Sequence, residues 1–317
     1  MLNDLFIRAI SMSREEKGLW HLMYKSLLQL REEFISRVFN FMRSSAGRIN
    51  ELMKTLSSIL DDKSSELSDL LKSQLVLVAR NESDFWKSIL KIPLKNYPRK
   101  LISVNDAPLY SGAGNLFSRI FNPVKKKLKA MLQFSVSQNH SIDQTLDRVF
   151  GKETSKEINV KSWRGTEFQG GVLAKVRKSL QSLAVTAYYE MIAKVRKFAF
   201  ARTDRVQSIR STSSLEGNTT EGCKKYEGLV FGKDSLQPIS HQNKYEPVPR
   251  HWNCRSQYIP NDFDGKSLEP ISMADWFKGL SIGAQNSLLG KKGGELYRNK
   301  HSDLLIIMKR LSPVYLS

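Results

Sequence analysis

Two cysteines in 317 residues, Cys223 and Cys254, are too few to build a fold on disulfides. Histidine is nearly as scarce, with five copies, so any use of imidazole chemistry has few places to sit. His21, His140 and His301 are scattered, and no Ser/His/Asp, Cys/His or paired-carboxylate set stands at motif spacing. An enzyme is therefore not expected. No apolar run approaches the roughly 20 residues that span a bilayer. The opening Met1-Leu2-Asn3-Asp4-Leu5-Phe6 lacks the basic start, apolar stretch and cleavage site of a signal peptide. Both absences lead us to expect intracellular synthesis and no membrane partner. Acidic residues are in deficit: Asp+Glu 31 against Lys+Arg 50 leaves a net charge of +19. A charge that large attracts polyanions, nucleic acid among them, although a solvated surface or an acidic protein partner would use it equally well.

The hydrophobic fraction of 40% and charged fraction of 26% are those of a folded chain, long enough for two modest domains. Residues 1–92 read as a helical domain. Leu19, Met23, Leu27, Leu30, Phe34, Val38 and Phe41 recur at spacings of three and four, which lays them on one helical face. A second helix carries Leu52, Met53, Leu56, Ile59 and Leu60, and a third runs from about 65 to 91, with breaks expected at Gly47 and at Asp61-Asp62-Lys63-Ser64. Residues 93–115 form a Pro/Gly-rich connector, with Pro93, Pro98, Pro108 and Ser111-Gly112-Ala113-Gly114. No phosphate-loop pattern follows that turn.

Residues 116–203 read as a basic helical region. Lys125, Lys126, Lys127 and Lys129 crowd its first helix, and Ser141 with Gln144 makes a capping box for a short helix ending at Gly151. A loop rich in Lys, Gly and Thr follows, then an amphipathic helix over about 172–202. Its polar face bears Lys175, Arg177, Lys178, Lys194, Arg196 and Lys197, opposed almost only by Glu190. These ten cations are the candidates for gripping phosphates. Residues 204–262 read as short strands and loops, with Val206–Ser214 alternating like a strand. Residues 263–317 return to helix over 271–310, with Ser272 and Asp275 capping a segment that begins Trp276-Phe277. The expected fold class is mainly α, with long amphipathic helices followed by a small α+β C-terminal unit of short strands and Cys/His-bearing loops.

Within that unit, two turns each deliver a thiol. Thr220-Glu221-Gly222-Cys223 is one, and Pro249-Arg250-His251-Trp252-Asn253-Cys254-Arg255 adds an imidazole three residues before its cysteine. Cys223, His251 and Cys254 are ligands of the kind zinc prefers. A fourth partner would have to be His241, a carboxylate or water. Two free thiols beside an ordinary histidine, or a disulfide in an oxidising setting, are the other readings.

These phrases resemble the Mu F-like head-morphogenesis family of tailed bacteriophages, in which S-x-L-D-x-R-T-T-x-x-C-x-x-L-D-G-x-x-F precedes P-P-x-H-x-N-C-R. Leu215, Thr219, Thr220, Cys223, Gly228, Phe231, Pro249, His251, Asn253, Cys254 and Arg255 match. Downstream, Asp275-Trp276-Phe277, Leu288-Leu289-Gly290 and Glu295-Leu296-Tyr297 are similar to the family's ending. The likeness covers roughly residues 115–305. Asn218 stands where Arg is usual, Glu216 and Glu227 replace Asp, and Arg250 replaces a small or apolar residue. Thr220 stands where many members carry a further Cys.

The resemblance implies a minor head protein: a structural and assembly component made in the host cytoplasm and retained inside the phage head near the portal. Its implied partners are the portal protein and the major capsid or scaffolding protein, with packaged DNA close to its basic surface. Gly151, Gly170-Gly171 and Gly217 would let segments hinge. The alternatives are a non-specific DNA-binding protein acting in packaging or ejection, or a metal-dependent, nuclease-like enzyme.

Overall fold

A computed structural model describes residues 1–43, 49–92, 116–160, 163–213, 220–269, 273–300 and 316. The connector 93–115, Gly47, Leu215 to Thr219, Ser272 and residues 301–315 lie outside the described residues. The elements run α1 (Leu2–Arg43), α2 (Ile49–Leu90), α3 (Leu116–Ser137), α4 (Ile142–Phe150), β1 (Lys152–Val160), β2 (Trp163–Gln169) and α5 (Leu173–Phe200). They continue with β3 (Ser208–Thr212), α6 (Glu221–Lys224), β4 (Val230–Gly232), β5 (Pro238–Ile239), β6 (Gln257–Pro260), β7 (Asp262–Phe263), β8 (Lys266–Ser267), α7 (Met273–Lys278), α8 (Ile282–Leu289) and α9 (Lys291–Lys300). The protein is thus mainly α, with a few short antiparallel strands in small sheets and the Cys/His loops in the C-terminal region.

Two compact units form, and neither is one stretch of chain. The first comprises Met1–Gly18, Leu75–Ile102 and Val185–Ser317; the second comprises Leu19–Gln74 and Ser103–Ala184. The sequence reading divides the chain into consecutive segments, whereas here the boundaries fall inside α1, α2 and α5. Helix length explains the difference. A 42-residue helix such as α1 or α2 is about 63 Å long, roughly twice the diameter of a small domain, so one helix can serve two cores.

In the second unit, Leu56, Leu60, Leu67 and Leu71 of α2 are all essentially inaccessible to solvent. Their spacing of four, seven and four keeps one apolar stripe running straight through Asp61–Ser64, so the expected break does not occur. The poor helix formers there cost about 0.3–0.7 kcal/mol each, while burying Leu60 and Leu67 contributes about 1.5–3 kcal/mol apiece. The polar side chains find partners as well. Lys125 of α3 holds Asp61 at 2.7 Å, Lys63 pairs with Glu66, and Ser26 donates to Glu66 at 2.8 Å.

The capping box at Ser141 forms as expected. The Ser141 side chain accepts the Gln144 N–H, and the Gln144 side chain accepts the Ser141 N–H. Beyond this helix the sequence reading is corrected. Residues expected as a loop are the antiparallel ribbon β1–β2, with a register shift between Glu153 and Glu157. Lys152–Glu157 carries no apolar alternation, so nothing in composition announces a strand; Arg31–Glu153 at 3.0 Å and Arg177–Glu167 tie the ribbon instead. Gly151 and Gly171 are not free hinges. Both have positive φ, and a Cβ on either would meet neighbouring backbone at 2.3 Å, so glycine here permits close backbone approach.

In the first unit, an antiparallel sheet of order β5-β4-β3-β6 closes over helix ends. Trp86, Phe200, Val206, Ile209, Phe231 and Tyr258 form its core, with Trp86 edge-on to Phe200 at 4.7 Å. Arg205 donates to the last carbonyls of α2, on Ile89 and Leu90, and pairs with Asp264, which meets the C-terminal hydrogen-bonding need of that helix. Helix α7 starts at Met273, earlier than the expected Trp276, and places Trp276 and Phe277 in a small core with Ile10 and Leu289.

Beneath these elements lies a buried charge network. Glu82, with no solvent exposure, accepts from Arg8 Nε, Arg196 Nε and Trp86 Nε1, each at 2.7 Å. Arg8 also forks onto Glu15 at 2.7 and 3.2 Å, and the Tyr188 hydroxyl donates to Glu15 at 2.8 Å. Burial alone would push the Glu82 carboxyl up; the charges of Arg196 and Arg8 outweigh it and hold the group below the usual range. Arg196, expected on the exposed basic face, is 5% exposed and belongs to this network.

One buried carboxylate nearby in the sequence lacks such support. Glu190 is 4% exposed, neither oxygen accepts a hydrogen bond among the described residues, and Lys194 Nζ stands 3.6 Å away. Burial raises its pKa, with Lys194 opposing in part.

These contacts lead to two expected outcomes. Glu82→Ala strips two buried guanidiniums of their shared carboxylate and should cost about 3–5 kcal/mol in denaturant unfolding; a loss below about 1 kcal/mol would show that the network is dispensable. For Glu190 the folded-state pKa lies above the unfolded one. Its favourable contribution is therefore present while it is protonated, below the unfolded value, and is lost as pH rises through the folded value. Glu190→Gln should accordingly stabilise the protein at pH 8 and make little difference at pH 4, and an equal melting-temperature shift at both would rule this reading out.

Candidate metal centre

Each thiol is delivered by a short, internally bonded turn. Thr220 caps α6 in extended conformation and accepts the Cys223 N–H at 3.3 Å, turning Cys223 inward to 3% exposure. Twenty-eight residues later the chain turns at His251, whose carbonyl accepts the Cys254 N–H at 3.1 Å. Asn253 sits there at φ 63, a left-handed position that Asn tolerates better than most residues. Cys254 is buried to 1% exposure.

The residues around the second thiol are clamps. Arg255 holds Glu16 of α1 through two parallel bonds of 2.9 and 2.7 Å, a geometry suited to guanidinium and carboxylate. The Asn253 N–H donates to the Thr186 hydroxyl of α5 at 2.9 Å. Arg250 lies 4.2 Å from the centroid of the Tyr226 ring and donates to Ser211 and the Tyr258 hydroxyl at 3.1 and 3.2 Å. A large cation stands there because aromatic faces and hydroxyls enclose it.

Cys223, His251 and Cys254, up to 31 residues apart, converge. Their ligand atoms all lie within 4.8 Å of one another. Cys223 Sγ is 3.0 Å from His251 Nε2 and 3.7 Å from Cys254 Sγ, and the Thr220 hydroxyl is also 3.0 Å from Nε2. The ring's other nitrogen, Nδ1, is 2.8 Å from the Trp252 carbonyl, which can only accept. Nδ1 therefore carries the proton, and in the neutral ring the Nε2 lone pair faces the sulfurs, the tautomer a metal-binding imidazole needs. Burial pushes the Cys223 thiol up, but its side-chain contacts with Ser256, Thr220, His251 and Cys254 together lower it to about 7.

This donor set can hold a metal such as zinc. Two thiolates on a tetrahedral zinc, with Zn–S of about 2.3 Å, stand about 3.8 Å apart, close to the sulfur separation here. An imidazole nitrogen on the same ion would stand about 3.5 Å from each sulfur, so His251 would retreat from Cys223 by about half an ångström and close on Cys254 within the group's 4.8 Å span. The sulfurs are free thiols, well beyond the roughly 2.05 Å of a disulfide bond. The sulfur of Cys223, 3% exposed, faces the Cys254 sulfur. His241 does not join the group: its Nε2 bonds the Val230 carbonyl at 2.7 Å and its ring lies edge-on to Phe231.

The cation candidates fare unevenly. Lys126, Lys127, Lys129, Lys175, Lys178 and Lys197 are exposed. Lys125 pairs with Asp61, Arg177 with Glu167 and Lys194 with Glu190. The stripe read from α5 is thus thinned by ion pairs and by Arg196's burial. Among the described residues, no helix is long and apolar enough to cross a membrane.

Compared with protein-family models, curated proteins and solved structures, the chain matches none. Sequence reasoning finds the three donors but misses the Glu16 and Thr186 clamps, which lie far away in the chain and carry no local signal.

Proposed function

We propose that this chain is a structural and assembly protein of a tailed-phage head, with a zinc ion on Cys223, His251 and Cys254 stapling its C-terminal unit. The observation that carries the reading is convergence. Thr220 and Cys223 of one phrase resembling the head-morphogenesis family meet His251 and Cys254 of the other in one cluster, and Asn253 and Arg255 of the second phrase anchor it. In the family reading, the protein sits at the portal inside the capsid, contacts the portal and the capsid or scaffolding protein, and turns its basic surface toward packaged DNA. Zinc would cross-link the two turns.

The reading is tested on two fronts. The tagged chain, co-expressed with the portal protein of the same phage and purified with nuclease present, should come away as a stable complex. Free protein that stays with nucleic acid until digestion would instead favour salt-sensitive, sequence-indifferent DNA binding. Separately, the purified protein should contain one zinc per chain. Chelation should lower its melting temperature by at least about 4 °C, the shift that about 2 kcal/mol produces in a domain of this size. Cys254→Ser should abolish both the bound zinc and the response to chelator; substoichiometric metal in the unmodified chain would sink the zinc assignment.

A further inference from the structure

The three donors leave a tetrahedral ion one ligand short, and among the described residues the exposed side of the cluster is that of His251 and Thr220. Cys223 and Cys254 close the site from the interior. His251 is partly exposed, and Thr220, whose hydroxyl touches Nε2 at 3.0 Å, is exposed. No further His, Cys, Asp or Glu joins the group among the described residues. The Thr220 hydroxyl is a poor zinc ligand, and it already accepts the Cys223 N–H as the cap of α6. It is well placed instead to hydrogen-bond a molecule bound beside it.

We propose that the fourth coordination position of this centre opens to solvent beside Thr220 and takes an exogenous monodentate donor. The proposal rests on the zinc reading above. Water fills the position in the isolated chain. The class of ligand that displaces it is a nitrogen or sulfur donor, such as an imidazole or thiolate side chain of a neighbouring protein in an assembly, because a metal already held by two sulfurs and one nitrogen favours donors of that softness. Trp252, 45% exposed next to His251, gives such a neighbour an apolar surface beside the metal. On this view the centre is a staple with one free arm: the chain fixes three corners, and docking completes the fourth.

Cobalt replaces zinc with similar geometry and can be seen in visible absorption. The untagged chain loaded with one cobalt ion should show the intense ligand-field bands of a four-coordinate site, together with sulfur-to-cobalt charge transfer. Added imidazole, or a small thiol, should shift the ligand-field bands saturably while leaving them intense. Thr220→Cys should place a third thiolate at the open corner. Its charge-transfer band should grow by about half, from two thiolates to three, and its response to imidazole should vanish. Intense bands in the unmodified chain that ignore both probes would mean the chain itself fills the fourth corner, which overturns the proposal and leaves the zinc reading standing. Bleaching by imidazole, which signals removal of the metal, would also count against an open corner. The absence of any four-coordinate cobalt spectrum would take down the zinc reading and this inference together.

Discussion

The first unit depends on a carboxylate with no access to water. Glu82 of α2 receives one guanidinium from α1, one from α5 and the indole of its own Trp86. A buried charge is costly unless every partner is in place, so this cluster tolerates few arrangements of the three helices. Arg8 extends the constraint to Glu15, which Tyr188 also contacts. The next residue on α1, Glu16, holds Arg255 in the Cys/His turn. Consecutive residues of one helix thus serve the charge network and the candidate metal centre. A hydrophobic cluster would bury the helices equally well, but it would fix their register and rotation less sharply.

The same bonding pattern alters the meaning of the positive charge. A net +19 invites the picture of a uniformly basic surface, yet several prominent cations work inside the protein. Arg8 and Arg196 compensate buried carboxylates and Arg250 is enclosed by tyrosines, while the part-exposed Arg205 finishes a helix. Much of the exposed charge is carried by lysines, among them Lys126, Lys127, Lys129, Lys175 and Lys178. Lysine presents a compact, hydrated point charge, whereas the planar fork of arginine suits paired, directional contacts. The division of labour matches those chemistries: these arginines build the interior, and the lysines meet solvent or a polyanion.

Where the sequence reading succeeds, the signal is local. The stripes of α1 and α5, the Ser141–Gln144 box and the alternation over Ser208–Thr212 are all written within a few residues of where they act. It fails where distant partners intervene. Asp61–Ser64 looks like a break until Lys125 and the continuous leucine stripe are considered. Lys152–Glu157 looks like a loop because its strand is held by a partner strand and ion pairs rather than by apolar alternation. Arg196 looks exposed because its partner, Glu82, is 114 residues away.

By itself, the sequence determined the helical character, the place of the small strand-rich unit and the three residues able to bind a metal. Period, capping and ligand chemistry are properties of short stretches of chain. Only the tertiary structure decided that Cys223 and His251–Cys254 face one another, that the His251 ring turns its lone pair inward, and that Glu16 and Thr186 hold the second turn in place. Those outcomes depend on distances across the fold. A side chain carries no information about its partner until packing and the pairing of buried charge bring the two together.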